Sequence, residues 1–346
     1  MNILQIAPIE RRVPPHRYGG VERVVYELVE GLTKRGNKVT LLASSDSITS
    51  ALLRPIIKKP LGDDPSCKQD LKSREAYYTV TLAKILQYIK DDHFQIVHNH
   101  MGWRLLPFWK LIKVPFLSTL QTPLDSPSKE AVYEEIGETP IVSVSNRQRL
   151  LRPNLNYIAT ISNGINLSKY QLSEAHKGYL VFLGRIAPEK GTYEAIMIAK
   201  ALRKPLIIAA AIHEWERPYF NEKVLPYIDK IEINYIGEID DNQKNNLLGN
   251  AEALLNPIQW EEPFGLSCIE AMACGTPVVT LSRGSMPEII IDGVTGIIGS
   301  NIKELIDRFD EIKKIKRTAC RAHVEERFDS ETMVEKYLSV YRQISD

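Results

Sequence analysis

Apolar and polar positions follow two different periods along the chain. The runs Asn2 to Pro8 and Lys38 to Ala43 are apolar and of strand length, and between them Gly20 to Arg35 carries apolar residues at helical spacing. Gly36 follows at once, as is typical of a helix end. These segments predict a βαβ unit, since continuous Val, Ile and Leu runs are typical of parallel strands covered on both faces.

The same pattern continues to the end of the chain, with a break in the loop from about Leu167 to Lys177. Before the loop, the pattern predicts an amphipathic helix at Lys72 to Lys90 and strands at Phe94 to His98, Val114 to Leu120 and Ile141 to Ser145. After it, the pattern predicts strands at Tyr179 to Gly184, Pro205 to Ala211, Glu232 to Ile236, Glu252 to Pro257 and Pro277 to Leu281, with helices at Thr192 to Arg203 and Asn242 to Asn250.

At 346 residues the chain is longer than one hydrophobic core usually organises. We therefore expect an α/β chain of two doubly wound, Rossmann-like domains facing a central cleft: residues 1–170 and residues 171–327. The stretch 328–346 has helical apolar spacing and is predicted to be a C-terminal helix that packs on either domain, with the N-terminal domain as one candidate. Ligands of such sheets bind beyond the carboxyl ends of the strands.

Charge and hydropathy exclude several classes of protein. The 44 basic and 43 acidic side chains leave a net charge of +1, so we predict no nucleic-acid partner. The longest apolar run, near Leu206 to Ile212, is far shorter than the roughly 20 residues that span a membrane. No basic region precedes the first strand, so the segment does not read as a signal peptide and we expect a cytoplasmic protein. Peripheral contact with the inner membrane face stays an alternative, because Arg147, Arg149 and Arg152 form either a lipid-facing patch or a solvated helix face.

The four cysteines indicate neither a disulfide nor a metal site. They show no C-x-x-C spacing and no nearby His pair, which favours free, buried thiols: Cys67, Cys268, Cys274 and Cys320.

The stretch EEPFGLSCIEAMACGTPVV, from Glu261, has the features of an anion site. Gly265 permits a close backbone approach, and the amides of Phe264, Gly265 and Leu266 would open a helix whose dipole favours a phosphate. Glu270 could accept hydrogen bonds from ribose hydroxyls, and Glu262 could face the sugar attached to the phosphate. The alternative is that Glu262 is a solvated loop residue and Glu270 a carboxylate that only stabilises the helix dipole.

A second loop, FLGRIAPEKG from Phe182, follows a predicted strand and places Arg185 and Lys190 at its carboxyl end. Two fixed cations at this edge could neutralise a diphosphate without a metal. The alternative is a surface loop with a Glu189–Lys190 ion pair.

Two stretches of the first half are further candidates. Gly19 and Gly20 stand at the start of the first helix and could supply backbone amides to the same anion, although the spacing is not that of a dinucleotide-binding fingerprint. His98 and His100 stand at the carboxyl end of a predicted strand. Metal binding by this pair is conceivable, but the sequence offers no third ligand, so we predict no metal.

Taken in order, these stretches resemble the family 4 retaining glycosyltransferases of the GT-B fold over essentially the whole chain. The resemblance rests on the Gly-Gly loop, the His pair, the G-R-x-x-x-x-K-G loop and the E-P-F-G-L-x-x-x-E stretch, together with Asn163-Gly164-Ile165-Asn166, Gly284-Ser285-Met286-Pro287-Glu288 and Asp292-Gly293-Val294-Thr295-Gly296. The chain departs from many members at Thr119-Leu120-Gln121-Thr122, where they place a His-Gly pair.

The resemblance implies a role for each matching residue. Glu270 would bind the donor ribose, and Glu262, with the amides of Phe264, Gly265 and Leu266, would bind the donor hexose and its phosphates. Arg185 and Lys190 would stabilise the diphosphate leaving group, with Gly19 and Gly20 approaching it. His100 would be the active-site histidine near the sugar, with His98 as the alternative.

The implied activity is transfer of a hexose from a UDP-hexose or GDP-mannose donor to an acceptor hydroxyl. The reaction would proceed with retention, by a front-face mechanism that needs neither metal nor other cofactor. The acceptor stays open between a glycan, a lipid-linked molecule and a small molecule. Alternatives are a nucleotide-sugar epimerase or a phosphorylase of the same fold, or a non-catalytic nucleotide-sugar binding protein.

Overall fold

The computed structural model describes residues 1–68, 70–125 and 127–345. The chain forms two compact units. The first comprises Met1–Pro15, Gly19–Gly164 and Ser330–Asp346, and the second comprises His16–Tyr18 and Ile165–Asp329. The chain thus passes from the first unit to the second at Gly164 and returns at Ser330, so that the C-terminal segment belongs to the N-terminal unit.

Within its described residues, the first unit contains a seven-stranded sheet in which every neighbouring pair is parallel. Its strands are β1 (Asn2–Ile6), β2 (Lys38–Ser44), β3 (Leu52–Ile57), β4 (Ile96–Asn99), β5 (Phe116–Leu120), β6 (Ile141–Ser143) and β7 (Tyr157–Thr160). The order across the sheet is β3-β2-β1-β4-β5-β6-β7, so the direction of winding reverses beside β1. A switch point of this kind is where doubly wound sheets bind ligands.

The first unit's helices cover this sheet. They are α1 (Gly20–Lys34), α2 (Pro65–Lys68), α3 (Leu71–Asp91), α4 (Glu130–Glu135) and α5 (Asn146–Leu150), with 3₁₀ segments at Gly102–Leu111 and Pro127–Lys129. Helix α1 forms because its apolar positions make one stripe, whose Val24, Leu28 and Leu32 are fully buried. It ends before Gly36, which adopts a positive φ of 78°.

The second unit repeats the architecture with a six-stranded parallel sheet among its described residues. Its strands are β8 (Leu180–Arg185), β9 (Leu206–Ala211), β10 (Ile233–Gly237), β11 (Ala253–Asn256), β12 (Val278–Leu281) and β13 (Gly296–Gly299), in the order β10-β9-β8-β11-β12-β13. Its helices are α6 (Thr192–Leu202), α7 (Arg217–Tyr219), α8 (Asp241–Asn250), α9 (Leu266–Ala273), α10 (Met286–Ile289), α11 (Ile302–Asp307) and α12 (Arg317–Arg327). A π-helical turn, Phe220–Val224, follows α7.

The last helix, α13 (Ser330–Ser345), packs on α1 in the first unit. The contact is close because Gly31 has no side chain: a Cβ there would lie 2.5 Å from Val334 Cγ2. At the rim of the same contact, Arg35 Nε donates to Glu335 Oε1 at 2.6 Å. Burial of Tyr337 and Tyr341, both fully inaccessible to solvent, anchors the helix further.

The α/β fold of two doubly wound parallel sheets is confirmed, but the sequence pattern missed three strands, β3, β7 and β13. All three lie at sheet edges, where only part of a strand is buried. Strand β3 even contains Pro55, which edge strands tolerate because one side of the backbone needs no partner. Helix α12 was also missed. Hydrophobic runs therefore identified the central strands, whose faces are covered, and β10 among the edge strands.

The four cysteines are free and buried, as predicted. Among the residues that the structure describes, no helix is long and apolar enough to cross a membrane.

Candidate active site

The loop after β8 and the loop before α9 pack directly on each other in the second unit. The first turns at Gly191, whose φ is 75° and where a Cβ would lie 2.0 Å from the carbonyl oxygen of Pro257. Beside it, the amide of Gln259 donates to the carbonyl oxygen of Glu189 at 2.8 Å. Only glycine permits this approach, and the approach brings the two predicted anion-binding loops together.

Lys190 and Glu262 meet across this contact. Lys190 Nζ lies 2.5 Å from Glu262 Oε2, which also accepts a hydrogen bond from Trp260 Nε1 at 2.8 Å. Burial lowers the pKa of Lys190, but the charge and hydrogen bond of Glu262 outweigh that effect, so the net pKa is raised. The ammonium is thus held in its charged form. The alternative of a Glu189–Lys190 surface pair is wrong, and so is that of a solvated Glu262, whose side chain is 12% exposed.

The backbone around Glu262 is fixed by a third loop. Gly284, with a φ of 53°, lies so close that a Cβ would be 2.3 Å from the amide nitrogen of Glu262. The backbone amide of Ser285 donates to the carbonyl oxygen of Glu262 at 2.9 Å. The Ser285 hydroxyl donates to the carbonyl oxygen of Phe264 at 2.6 Å. The Gly284-Ser285 loop thus fixes the backbone of Glu262, and the fixed backbone holds the Glu262 carboxylate towards Lys190.

Helix α9 begins at Leu266, immediately after this loop. Gly265 caps it with a φ of 96°, and a Cβ there would lie 2.6 Å from Met286 Cε. Phe264 is buried, with its ring centroid 5.8 Å from that of Phe328. The first amides of a helix have no acceptor within it, so this end carries the positive end of the helix dipole. The predicted anion-binding amides are therefore at a helix start.

Arg185 ends β8 and is held by two carboxylates. Its Nη2 lies 2.5 Å from Glu189 Oε1, and its Nη1 forms an ion pair with the buried Glu216. Arg185 is also one of the charges that act on Lys190. The guanidinium lines a cleft of about 580 Å³, whose walls consist of Arg185, Pro188, Glu189, His213, Trp215, Glu216 and Tyr219. A cation thus faces a solvent-accessible space at the carboxyl end of the sheet.

Glu270 is buried on α9 and already has partners within the second unit. Tyr170 donates its hydroxyl to Glu270 Oε1 at 2.8 Å, and Lys244 forms a buried ion pair with the same oxygen. Lys244 also lies 3.4 Å from Asp241. A ligand hydroxyl that binds Glu270 would therefore share a carboxylate that Tyr170 and Lys244 already hold in place.

The predicted residues of the first unit fall in two places. Gly19, with a φ of 153°, and Gly20 form the start of α1. Glu22, in the first turn, is 5% exposed and approaches Gly19. Burial raises the pKa of Glu22 to about 7, and the nearby Glu10 adds to this effect while Arg11 opposes it.

His98 and His100 lie side by side at the carboxyl end of β4, with ring centroids 3.9 Å apart. The nitrogens of His98 lie 2.6 Å from the hydroxyl of Tyr341 and 2.8 Å from that of Thr119, while His100 Nε2 lies 2.8 Å from Gln5 Oε1. Burial lowers the pKa of His100 to about 3 and that of His98 well below its usual range. Across the described part of the chain, no three His, Cys, Asp or Glu side chains are placed to hold a metal ion.

The predicted arginine patch is largely committed to the protein itself. Arg152 pairs with Glu130 through both terminal nitrogens, and Arg149 lies 4.8 Å from the ring centre of Tyr157 while donating to Thr160.

Comparison with known proteins assigns both units. The family model "Glycosyltransferase Family 4" matches residues 18–169, and the model "Glycosyl transferases group 1" matches residues 166–327. The chain belongs to glycosyltransferase family 4. Among curated relatives, glycogen synthase of Mycobacterium tuberculosis is 26% identical, over 85% of this chain and 82% of its own.

Solved glycosyltransferases share the GT-B fold with this family 4 chain. Sucrose-phosphate synthase from Thermosynechococcus elongatus matches 99% of this chain and 98% of its own, with a TM-score of 0.81 and 20% identity. The Anabaena protein HepE, solved in complex with UDP-glucose, matches 99% of this chain and 100% of its own, with a TM-score of 0.75 and 16% identity. The predicted GT-B architecture and the predicted family are thus confirmed.

The sequence interpretation missed several residues that shape this family 4 site. Glu216 is the buried partner of Arg185, but its stretch of sequence indicates only a polar loop. Lys244 is the buried partner of Glu270, but its stretch indicates only a polar helix. Trp260 directly precedes the stretch that begins at Glu261, and no motif in the sequence indicated a role for it. One signal was available: Gln5 is a polar residue in the apolar run of β1, and a polar residue in a buried strand needs a partner.

Proposed function

We propose that this glycosyltransferase moves a hexosyl group from a nucleotide diphosphate sugar to an acceptor hydroxyl, with retention of anomeric configuration. One observation carries the proposal: the second unit holds two cations, Arg185 and Lys190, beside the start of α9. A diphosphate needs this concentration of positive charge, and the fork of Arg and the point charge of Lys bind it in complementary ways.

We propose that the negative charge of the diphosphate replaces that of carboxylates, which pair with both cations in the absence of a ligand. Glu189 and Glu216 neutralise Arg185, and Glu262 neutralises Lys190. Each carboxylate thereby keeps its cation oriented until a ligand with more negative charge binds. We propose that Glu262 then accepts hydrogen bonds from the hydroxyls of the donor hexose, and that Glu270 accepts hydrogen bonds from the ribose.

The transfer step breaks the bond between the anomeric carbon and the β-phosphate oxygen and forms a bond from that carbon to the acceptor oxygen. The electron pair of the broken bond leaves with the diphosphate, and a phosphate oxygen takes the acceptor's proton. Arg185, Lys190 and the amides at the start of α9 stabilise the charge that develops on the leaving group. These groups supply the positive charge that a metal supplies elsewhere, so we propose a metal-independent reaction.

The donor is proposed to be a UDP-hexose or GDP-mannose. The similarity to HepE, whose structure contains UDP-glucose, supports testing UDP-glucose first. The acceptor is a glycan, a lipid-linked molecule or a small molecule with a free hydroxyl.

The test combines donor and acceptor in the presence of EDTA. UDP-glucose and GDP-mannose are each incubated with the protein and a panel of sugar and lipid-linked acceptors, and the product is analysed by proton NMR at the anomeric centre. We expect one donor to give a product with the donor's anomeric configuration. An inverted product would contradict retention, and a change of the sugar without any acceptor would indicate an epimerase. Tight donor binding without turnover on every acceptor would indicate a binding protein.

A further inference from the structure

A hydrogen-bonded network of neutral side chains lies in the first unit, at the carboxyl ends of its central strands. It joins β1, β4, β5 and the C-terminal helix α13, and each member is at least 98% buried: Gln5, His98, His100, Thr119, Tyr337 and Tyr341. Nothing in the sequence motifs connects the last helix with the His pair, since Tyr341 is 243 residues from His98. Tyr341 of α13 therefore joins two hydrogen-bonded pairs of the sheet, Gln5–His100 and His98–Thr119.

The direction of the hydrogen bonds fixes the protonation of His100. Gln5 Nε2 donates to the hydroxyl of Tyr341 at 2.8 Å, so the other end of the same amide, Oε1, faces His100 Nε2 at 2.8 Å. A carbonyl oxygen only accepts, so Nε2 of His100 carries the proton and donates it. In a neutral ring the other nitrogen, Nδ1, is then unprotonated and has a free lone pair.

This lone pair has no protein partner. Nδ1 of His100 is buried and lacks a hydrogen bond within the part of the chain that the structure describes. A buried acceptor without a partner lowers stability unless a water molecule or a ligand completes its hydrogen bond. The ring stays neutral because burial holds the pKa of His100 at about 3, and its neighbour His98 is kept neutral in the same way.

We propose that Tyr341 is a positioning residue that acts through Gln5 to set the tautomer of His100, so that Nδ1 accepts a hydrogen bond from a sugar hydroxyl. The sugar as ligand rests on the proposed function, whereas the tautomer does not. If the Tyr341 hydroxyl were absent, the Gln5 amide would lose its acceptor and could turn. Its NH₂ group would then face His100, and the ring would be driven to the opposite tautomer, whose Nδ1 donates instead of accepting.

Tyr337 offers a matched control one helical turn away. Its hydroxyl lies 2.9 Å from Thr119 Oγ1, and among the described residues the side-chain hydrogen bonds of Gln5 go to Tyr341 and His100 instead. Both tyrosines are fully buried and both come from α13. Tyr337→Phe therefore removes another buried hydroxyl from the same helix and leaves the Gln5–Tyr341 hydrogen bond in place.

The first measurement is the ¹⁵N NMR tautomer of His100 in the unmodified protein. We expect protonated Nε2 and unprotonated Nδ1 from pH 6 to pH 8, whether or not the protein has transferase activity. Protonated Nδ1 in the unmodified protein would overturn the proposal without any variant, so a variant that fails to fold cannot leave it undecided.

The second measurement compares Tyr341→Phe with Tyr337→Phe. We expect Tyr341→Phe to populate the opposite tautomer of His100 and to lower kcat about fivefold, the effect of one neutral hydrogen bond, with little change in the KM for donor. We expect Tyr337→Phe to keep the tautomer and to stay within about twofold of the original kcat. An unchanged tautomer in Tyr341→Phe, or equal loss of kcat in both variants, would overturn the role of Tyr341. Absence of turnover in the unmodified protein would count against the proposed function alone.

Discussion

The two units carry polar centres of opposite character. In the second unit, Arg185, Lys190 and Glu262 are charged and paired, and they retain side-chain exposures of 12–21%. In the first unit, His98, His100 and their partners are neutral and have at most 2% exposure. One centre is a set of exchangeable ion pairs, and the other is a set of fixed hydrogen bonds.

The difference indicates what each centre can do. Ion pairs near solvent exchange partners at modest cost, because an incoming phosphate replaces the carboxylate that leaves. A buried neutral network has no charge to exchange, so it can only orient a donor or an acceptor of hydrogen bonds. We therefore expect charge-removing variants to affect leaving-group stabilisation in the second unit, and pH to affect the folding of the first.

The largest expected effect comes from Lys190→Met. The variant removes one of the two leaving-group cations and leaves Glu262 with no ammonium, so we expect transfer to slow on the order of 10²-fold, or about 3 kcal/mol. Steady-state kinetics with saturating donor measures it. The matched control is Lys303→Met, which removes an 83% exposed lysine of the same unit. Equal rates in Lys190→Met and Lys303→Met would remove Lys190 from the mechanism.

The next effect concerns Glu22 and the stability of the first unit. The folded protein keeps this carboxyl protonated up to about pH 7, whereas the unfolded chain ionises near pH 4.5. The unfolded state therefore loses its proton first, and stability falls as pH rises through this window, by about 3 kcal/mol in total. We expect Glu22→Gln to remove that loss, so that the variant is more stable than the original protein at pH 8.

Denaturant unfolding at pH 4 and pH 8 measures this difference. Glu27→Gln, on the same helix, is the control variant in this measurement. A Glu22→Gln variant with the pH dependence of the original protein would contradict the raised pKa.

The His pair predicts the opposite pH dependence. His100 stays neutral in the folded protein down to about pH 3, whereas in the unfolded chain it takes up a proton near pH 6.5. Stability is therefore present in full above pH 6.5 and is lost as the pH falls, by about 2 kcal/mol between pH 6.5 and pH 5. We expect His100→Asn to reduce this slope, and His93→Asn, at an exposed position, is the control variant. Equal slopes in both variants would contradict the account of His100.

The smallest effect is expected from Glu189→Gln. The Glu189 side chain is 31% exposed, so its ion pair with Arg185 is worth no more than about 1 kcal/mol. Because a diphosphate competes with this carboxylate, we expect pyrophosphate to bind the variant about two- to fivefold more tightly. Glu325→Gln, which removes a 51% exposed partner of Arg321, is the control in the same titration. Weaker binding to Glu189→Gln would mean that Glu189 supports the anion site instead of competing with it.

The sequence predicted the two sheets and the motif residues of both centres, because central strands are continuous apolar runs and the anion-binding loops carry glycines. It did not predict which carboxylate pairs with which cation. Glu189 is adjacent to Lys190 yet contacts Arg185, and Lys190 reaches Glu262 across 72 positions. Such pairs depend on how loops pack at Gly191 and Gly284, and not on the order of residues.

The link between Tyr341 and the His pair could not be predicted either. In the sequence, Tyr337 and Tyr341 belong to an apolar helical stripe, and a stripe gives no information on where a hydroxyl finds its partner. The return of α13 to the first unit decides it. Polar residues inside apolar runs, such as Gln5, are the one local sign of a buried network.

The measurement that tests the account most directly is calorimetric titration of UDP, GDP and their hexose conjugates into the protein in EDTA, with Lys190→Met and Lys303→Met in parallel. We expect one nucleotide diphosphate to bind the original protein and Lys303→Met equally, and to bind Lys190→Met at least tenfold more weakly, as loss of a charged hydrogen bond implies. Equal affinity of all three proteins for that nucleotide, or binding only after a divalent metal is added, would contradict the claim that the fixed cations of the second unit hold the diphosphate.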